Sequence, residues 1–220
     1  MNNKESKQKE TFSTSEGDKW FDRNIELSIE NDKIVQLFKS IELFPKKVLE
    51  IGCSNGSRLN LIKDTFGCEC WGIDPSSEAI KNGGEKYPDI LLSTGTADSL
   101  KFEDNSLDTI IFGFCLYLCD RNDLFKIAYE ADRCLKDGGT LVIKDFYPTF
   151  PYKNNYSHLD SVYSYKMDYS KMFKWNPSYA EVANIVYTHS GFGLVNVPDE
   201  KISITVLRKN EQFAYPVEVW

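Results

Sequence analysis

Apolar residues recur along this chain with two spacings, one typical of strands and one typical of helices. Leu59, Ile62 and Phe66 are spaced as on one face of a helix. Short apolar runs that predict buried strands lie on both sides of this helix, at 48–51, 69–73, 90–92, 109–114 and 140–143. Strands that alternate with helices predict an α/β fold built on a parallel sheet.

A glycine turn connects the first predicted strand to the helix. In the stretch VLEIGCSNG, residues 48–56, Gly52 and Gly56 bracket a short loop, and glycine lets backbone N–H groups come close to a ligand. A generic strand–turn–helix has the same pattern. With its acidic residue two positions before the first glycine, the stretch resembles motif I of class I S-adenosylmethionine-dependent methyltransferases. The resemblance implies cofactor contacts from Glu50, Gly52, Cys53, Ser54 and Asn55.

Further predicted cofactor contacts follow at the ends of the next strands. Asp74 ends the second strand about 20 residues after the turn, where such folds place a carboxylate for the ribose hydroxyls; a helix cap is the alternative. The family resemblance implies that Ala97 and Asp98 hold the adenine, although Asp98 also suits an exposed loop or a cap. The implied cofactor is S-adenosyl-L-methionine, with further contacts from Pro75, Phe114 and Cys115.

The N-terminal region divides into two predicted parts. Residues 1–15 contain almost nothing apolar and are expected to be disordered. The segment GDKWFDRN, residues 17–24, resembles a segment of small methyltransferases of bacterial surface and capsular polysaccharide biosynthesis. That resemblance implies that Trp20, Arg23 and Asn24 face the cofactor; a hydrophobic staple with a helix cap is the alternative. We therefore divide the chain into a flexible segment and cofactor lid, 1–24, and a methyltransferase domain, 25–220.

The family resemblance also implies the architecture of the domain. It is a Rossmann-like, seven-stranded, mostly parallel sheet with helices on both faces and a terminal antiparallel strand pair. We expect this pair at 192–197 and 202–207. A helix that starts at Asn176-Pro177 and stops at Gly191 is predicted before it, with His189 in the last turn bonded to terminal carbonyls.

A long segment between the fifth strand and this helix is predicted to cover the substrate. Residues 147–176 are too many for a structureless loop in a compact domain, and they contain six of the twelve tyrosines. Residues 163–169 alternate as in a strand of a flap. Lys166 would suit an acceptor with a phosphate or carboxylate. The substrate-binding candidates are Tyr117, Tyr147, Tyr165 and Lys166.

Methyl transfer from a sulfonium requires mainly alignment of the nucleophile, and a hydroxyl acceptor also benefits from a base. His158, in the covering segment, and Asp145, at the tip of the fifth strand, are the catalytic candidates. An exposed loop histidine is the alternative for His158. The carboxylates show no pattern typical of a metal-dependent methyltransferase, so no metal is expected.

Composition narrows the class of partner. A net charge of −7 argues against a nucleic-acid partner, and no apolar run reaches the length of a membrane helix. Six cysteines without metal spacing predict buried free thiols in the cytoplasm.

The predicted function is methyl transfer to a small polar acceptor of capsule or surface-glycan biosynthesis, such as a sugar or a phosphoramidate or phosphate precursor. A macromolecular acceptor and a non-catalytic cofactor-binding module are the alternatives. The predicted partners are the small acceptor and a second copy in a homodimer.

Overall fold

The computed structural model describes residues 8–25, 31–189 and 197–217. Its helices are α1 Gln8–Thr11, α2 Gly17–Asn24, α3 Lys33–Ser40, α4 Ser57–Phe66, α5 Ser77–Lys86, α6 Leu124–Cys134 and α7 Lys171–Lys174. Its strands are β1 Lys47–Ile51, β2 Glu69–Asp74, β3 Leu91–Thr94, β4 Leu107–Gly113, β5 Leu135–Phe146, β6 Tyr152–Asn155, β7 Tyr163–Lys166, β8 Tyr179–Thr188 and β9 Lys201–Lys209. A π-helical turn, Phe12–Glu16, joins α1 to α2, and the short 3-10 turns Leu116–Leu118 and Arg121–Asp123 precede α6.

Seven strands form one sheet in the order β3-β2-β1-β4-β5-β9-β8. Strands β1 to β5 pair in parallel, whereas β9 runs antiparallel to both β5 and β8. The central strand β4 is covered on both faces, so Ile110, Ile111 and Phe112 are fully buried. The predicted Rossmann-like sheet is confirmed, and the carboxyl ends of its parallel strands meet along one edge.

The terminal strand pair differs from the prediction. The segment expected to be a helix from 176 to 191 is instead strand β8, and it pairs with β9 from Tyr179↔Lys209 to Thr188↔Lys201. Val182, Ile185 and Val186 are β-branched, and a long cross-strand ladder outweighs their helix-like spacing. Most of the strand predicted at 192–197 lies outside the described residues, but the strand predicted at 202–207 is confirmed as β9.

The disorder predicted for the first fifteen residues is wrong for residues 8–15, which are helical. Gln8 is buried, its side-chain amide donates to the carbonyl oxygen of Leu118 at 2.8 Å, and its oxygen accepts from the Tyr163 backbone N–H at 2.8 Å. Apolar content alone misses such hydrogen bonds, which explains the error. Residues 1–7 lie outside the described part of the chain.

The predicted covering segment contains a two-stranded hairpin, β6 with β7, and then α7. Ser164 and Lys166 are buried, whereas Tyr163 and Tyr165 are half-buried, so the tyrosines form the more open face of β7. Four of the six free cysteines are buried, and Cys115 and Cys119 are half-buried. Across the described ranges, each helix lacks the length or the apolar character that spanning a bilayer requires.

Candidate active site

A cleft opens at the carboxyl ends of β1, β2 and β4, which is where ligands bind in sheets of this kind. It holds a cavity of about 120 Å³. Eight of the predicted cofactor-binding residues line it: Trp20, Gly52, Asp74, Pro75, Ala97, Asp98, Phe114 and Cys115. The sequence analysis missed several other lining residues, among them Lys9, Phe12, Thr96, Leu118 and Ile127.

Bare backbone forms the floor of the cleft. Gly52 has a φ of +73°, and a Cβ there would lie 2.6 Å from the Cβ of Cys115. A Cβ on Gly113 would lie 2.4 Å from a Glu50 carboxylate oxygen and 2.9 Å from the Gly52 carbonyl oxygen. Both positions require glycine, because Cys115 and Glu50 fill the space that a side chain would need.

Asp74 joins the glycine turn to the next helix. One carboxylate oxygen accepts from the Ser54 N–H at 2.8 Å, and the other accepts from the Ser76 N–H at 2.9 Å. Burial raises the pKa of Asp74 to about 6, although these two hydrogen bonds oppose the shift. Ser76, not Asp74, is the N-cap of α5, so each oxygen of Asp74 keeps a lone pair for a ribose hydroxyl.

Asp98 lies at the far end of the cleft and is paired with a residue from α1. The Lys9 ammonium is 2.7 Å from an Asp98 carboxylate oxygen and 3.1 Å from an Asp123 oxygen. Burial favours a higher pKa for Asp98, but the hydrogen bonds from Lys9 and Thr96 and the charge of Lys9 together hold this pKa below its usual value. Lys9 falls in the stretch predicted to be disordered, and no periodic pattern in the sequence marks it.

Residues 8–24, which we call the N-terminal strap, cross the mouth of the cleft. Phe12 and Trp20 of the strap line the cleft. Arg23 instead binds Glu16 at 2.5 Å and the Tyr156 hydroxyl at 3.1 Å. Asn24 donates to the Trp20 carbonyl oxygen at 2.7 Å. Arg23 and Asn24 therefore lie outside the cleft lining and hold the strap in place.

The remaining motif I residues lie beneath the floor. Glu50 is fully buried and paired with Arg58, which also binds Asp32 at 2.8 Å. Burial raises the pKa of Glu50 even though Arg58 opposes the shift. Cys53 is buried, and Asn55 bonds Asn82 at 3.1 Å. The turn is thus shaped by residues that do not line the cleft, namely Glu50, Cys53, Ser54 and Asn55.

An aromatic wall, formed by Phe114, Tyr117, Phe146 and His189, stands beside the cleft. Phe114 has a φ of +72°, and its ring centroid lies 5.1, 5.0 and 5.5 Å from those of Tyr117, Phe146 and His189. His189 is stacked on Phe146 with an interplanar angle of 11°. The prediction that His189 ends a helix is wrong, because it follows strand β8.

The two predicted catalytic residues lie behind and outside this wall. Asp145 is buried and accepts from the backbone N–H groups of Tyr117 at 3.3 Å and Phe146 at 2.7 Å. Burial raises the pKa of Asp145 to about 7. His158 is exposed, and its ring meets that of Tyr156 edge-on at 5.2 Å. Neither side chain lines the cleft.

Of the predicted substrate residues, some lie at the aromatic wall and others do not. Tyr117 belongs to the aromatic wall, and the Lys166 ammonium lies 4.0 Å from the centroid of Phe146 while paired with Asp199 at 2.8 Å. Tyr147 lies below the Lys201 ammonium, and Tyr165 stacks under the Arg121 guanidinium at 4.4 Å. The structure brings Tyr117 and Lys166 together at the wall, whereas Tyr147 and Tyr165 have other contacts.

Comparison with known proteins agrees with this geometry. Residues 49–143 match the family model described as a methyltransferase domain. Demethylmenaquinone methyltransferases of Renibacterium salmoninarum and Thermotoga maritima are 32% identical over 114 residues and 31% identical over 119 residues. These matches cover 51% and 53% of this chain, and 47% and 49% of the relatives. The chain thus spans about half the length of the curated relatives it matches.

Solved structures show the same fold. The 1,6-didemethyltoxoflavin-N1-methyltransferase of Burkholderia thailandensis, solved with S-adenosylhomocysteine, matches with a TM-score of 0.71 and 11% identity, over 92% of this chain and 87% of that one. The PH0226 protein of Pyrococcus horikoshii matches with a TM-score of 0.63 and 16% identity, over 87% of this chain and 99% of that one.

Sheet topology, glycine floor and strand-end acids together define a class I S-adenosylmethionine-dependent methyltransferase fold. More particularly, the stretch 49–143 is similar to the methyltransferase domain model. The family model, the relatives and the solved structures support the predicted S-adenosylmethionine-dependent methyl transfer. The acids at both ends of the cleft fit this cofactor.

Proposed function

We propose that this chain transfers a methyl group from S-adenosylmethionine to a small aromatic acceptor with a ring hydroxyl, of the hydroquinone type. The curated relatives named demethylmenaquinone methyltransferases support a quinone-related acceptor. Because they match over only about half their length, this support concerns the cofactor half and leaves the acceptor to be argued from the site.

The observation that carries the proposal is the aromatic wall. Phe114 belongs both to the cleft and to the wall, so a ring bound on the wall lies next to the cofactor. Phe114 presents its ring to the cleft, and planar acceptors gain stacking energy from such rings in addition to burial.

The chain's own residues have distinct roles in this function. Asp74 and Asp98 bind the ribose and the adenine, and the amino-acid end lies against the backbone of Gly52 and Gly113, which line the cleft. Bound there, S-adenosylmethionine supplies a methyl carbon on a positively charged sulfur. Phe12 and Trp20 of the strap cover the cleft and exclude water, while the wall aligns the acceptor.

The predicted capsule or glycan precursor has no support among the relatives, which carry quinone-related names. Lys166, the residue predicted to meet an acceptor phosphate or carboxylate, is buried and already neutralised by Asp199. The catalytic roles of His158 and Asp145, the homodimer and the absence of a metal remain predictions.

Methylation assays with labelled S-adenosylmethionine test the proposal. The panel contains a reduced 1,4-naphthoquinol kept under anoxic conditions, a simple catechol and a sugar phosphate. We expect turnover of the aromatic acceptors, with the naphthoquinol preferred by at least about 10-fold in kcat/KM, equal to about 1.4 kcal/mol of binding on the wall.

Variants of the wall sharpen this test. Phe146→Ala should lower kcat/KM for the naphthoquinol by about 10-fold and leave cofactor affinity unchanged, since Phe146 does not line the cleft. Phe125→Ala, on the exposed face of α6, is the matched control. Turnover of the sugar phosphate alone would overturn the proposal.

A further inference from the structure

The cleft is too small for its cofactor while the N-terminal strap lies across it. Its cavity of about 120 Å³ is less than half of the roughly 300 Å³ at which small-molecule sites begin. The floor consists of the ends of β1, β2 and β4, each paired with a neighbouring strand on both sides. Four residues of the strap line the cavity, namely Lys9, Phe12, Gly17 and Trp20. Part of the strap therefore has to move before the cofactor enters.

One side chain of the strap, Lys9, lies on the acid that is proposed to bind the adenine. Its ammonium is 2.7 Å from an Asp98 carboxylate oxygen and 3.1 Å from an Asp123 oxygen. Asp98 is buried, and Lys126 lies farther from it, at 3.6 Å. Among the ion pairs of Asp98 in the described ranges, the one with Lys9 is the shortest. Because an adenine amine is a neutral donor, it competes poorly with an ammonium for a carboxylate.

The backbone around Lys9 is held at the same end of the cleft. The two carboxylate oxygens of Asp120 accept from the N–H groups of Gln8 at 3.0 Å and Lys9 at 2.9 Å. The side-chain amide of Gln8 donates to the carbonyl oxygens of Leu118 at 2.8 Å and Tyr163 at 3.1 Å. Helix α1 has no apolar residue, so its contacts are chiefly hydrogen bonds and ion pairs. Such contacts are reversible, because water replaces them at a small net cost.

The other end of the strap is anchored to helix α5. Asp18 accepts from the Ser76 hydroxyl at 2.7 Å and from the Glu78 N–H at 3.1 Å. Phe21 of the same helix is buried. The π-helical turn Phe12–Glu16 lies between this anchor and α1. Because a π-helical turn interrupts the regular hydrogen-bond ladder of a helix, it is the place where the strap can bend.

We propose that α1 is a latch that closes the cleft before the cofactor binds, with Lys9 in the place that the adenine amine takes on Asp98. Cofactor binding releases Lys9 and bends the strap at its π-helical turn, while Trp20 stays over the cleft. The assignment rests on the proposed function, because it requires Asp98 to bind the adenine. It makes the strap a competitor of the cofactor as well as its cover.

The two parts of the strap then act on cofactor affinity in opposite directions. Lys9 opposes binding, since its ion pair with Asp98 has to break. Phe12 and Trp20 favour binding, because they line the cleft with apolar surface that the cofactor buries. Loss of Lys9 alone should therefore tighten binding, whereas loss of the whole strap should weaken it.

Calorimetry with S-adenosylhomocysteine tests the latch without an acceptor. This product has no sulfonium charge, so removal of a protein cation does not change its binding through the sulfur. Lys9→Ala should lower its Kd by about 5-fold, the scale of one partly exposed ion pair. Lys9→Arg keeps a cation for both acids and should stay within about twofold of the unaltered protein. Unchanged or weaker binding by Lys9→Ala would overturn the proposal, and weaker binding would make Lys9 a cofactor ligand.

Lys126→Ala is the matched control, because Lys126 also faces Asp98 but does not line the cleft. Its Kd should stay within about twofold of that of the unaltered protein. A gain in affinity equal to that of Lys9→Ala would overturn the proposal, since the charge near Asp98 alone would then explain the effect.

A second variant decides the question where Lys9→Ala fails to fold. Asp120→Ala removes the acceptor of two backbone N–H groups of α1 and leaves both Lys9 and Asp98 in place. It should also lower the Kd for S-adenosylhomocysteine, because a loosened α1 releases Asp98 more easily. An unchanged or higher Kd contradicts the latch.

Failure of the proposed function gives a different result. Asp98→Ala added to Lys9→Ala isolates the adenine contact, since the latch is already absent, and should raise the Kd by about 10-fold. If the double variant binds as tightly as Lys9→Ala, the proposed adenine role of Asp98 is wrong and the latch is overturned with it. An unchanged Kd in Lys9→Ala, together with a loss in the double variant, overturns the latch alone.

Discussion

At the scale of single residues, Asp74 shows how one carboxylate can serve structure and binding together. It joins the glycine turn to α5 through Ser54 and Ser76 and still presents free lone pairs to the cleft. The sequence suggested either a ribose contact or a cap, and the structure gives the cap to Ser76. Its buried position explains why its pKa is raised to about 6.

We expect Asp74→Ala to weaken S-adenosylmethionine binding by about 2 kcal/mol, the scale of lost charge-assisted hydrogen bonds, with a smaller loss of stability. Calorimetry measures the affinity, and thermal unfolding measures the stability. The exposed Asp89→Ala is the matched control. Unchanged affinity in a folded Asp74→Ala protein would reduce Asp74 to a purely structural residue.

At the scale of elements, the N-terminal strap is the element whose structure the sequence predicted least accurately. Its α1 is held by hydrogen bonds to Asp120 and Leu118. The strap is also joined to the covering segment, because Glu16 binds both Arg23 and Tyr156. Order in the strap depends on polar contacts made only in the folded chain.

Removing the strap, by deleting residues 1–24, should leave the sheet folded and weaken cofactor binding. The deleted residues include Lys9, Phe12 and Trp20 of the cleft lining. Trp20→Ala should lose about 10-fold in affinity, and the exposed Lys19→Ala should lose none. Circular dichroism and calorimetry report the two effects. If the shortened protein binds the cofactor with full affinity, the strap has a structural role only.

At the scale of the whole molecule, two buried acids connect stability to pH. The folded-state pKa of Asp145 is raised to about 7 and that of Asp74 to about 6, whereas both titrate near 4 when unfolded. The folded state therefore binds more protons than the unfolded state between about pH 4 and 7. Both acids cost stability as the pH rises through this window.

The free energy of unfolding of the cofactor-free protein should consequently fall between about pH 5 and 7, by an amount on the order of 2 kcal/mol. Acids with lowered pKa values, such as Asp98 and Asp199, act in the opposite direction but at lower pH. Urea titrations at several pH values measure the slope. Asp145→Asn should remove much of it, and an unchanged slope in that variant would contradict the assignment.

The sequence by itself determined the parallel half of the fold and the cofactor cleft. Local patterns carry that information, because the glycine turn, the apolar runs and the strand-end acids follow one another at short spacing. Helix α4, Ser57–Phe66, contains the three residues whose spacing predicts it, Leu59, Ile62 and Phe66. Asp74 and Asp98 line the cleft as their positions after strands predict.

Only the tertiary structure decided the rest, because it depends on contacts between residues far apart in the chain. Strand β8 has helix-like spacing and becomes a strand through pairing with β9. Lys9 reaches Asp98, 89 residues away, from a segment with almost no apolar residues. Arg58 binds both Asp32 and Glu50, a pairing that no local pattern encodes.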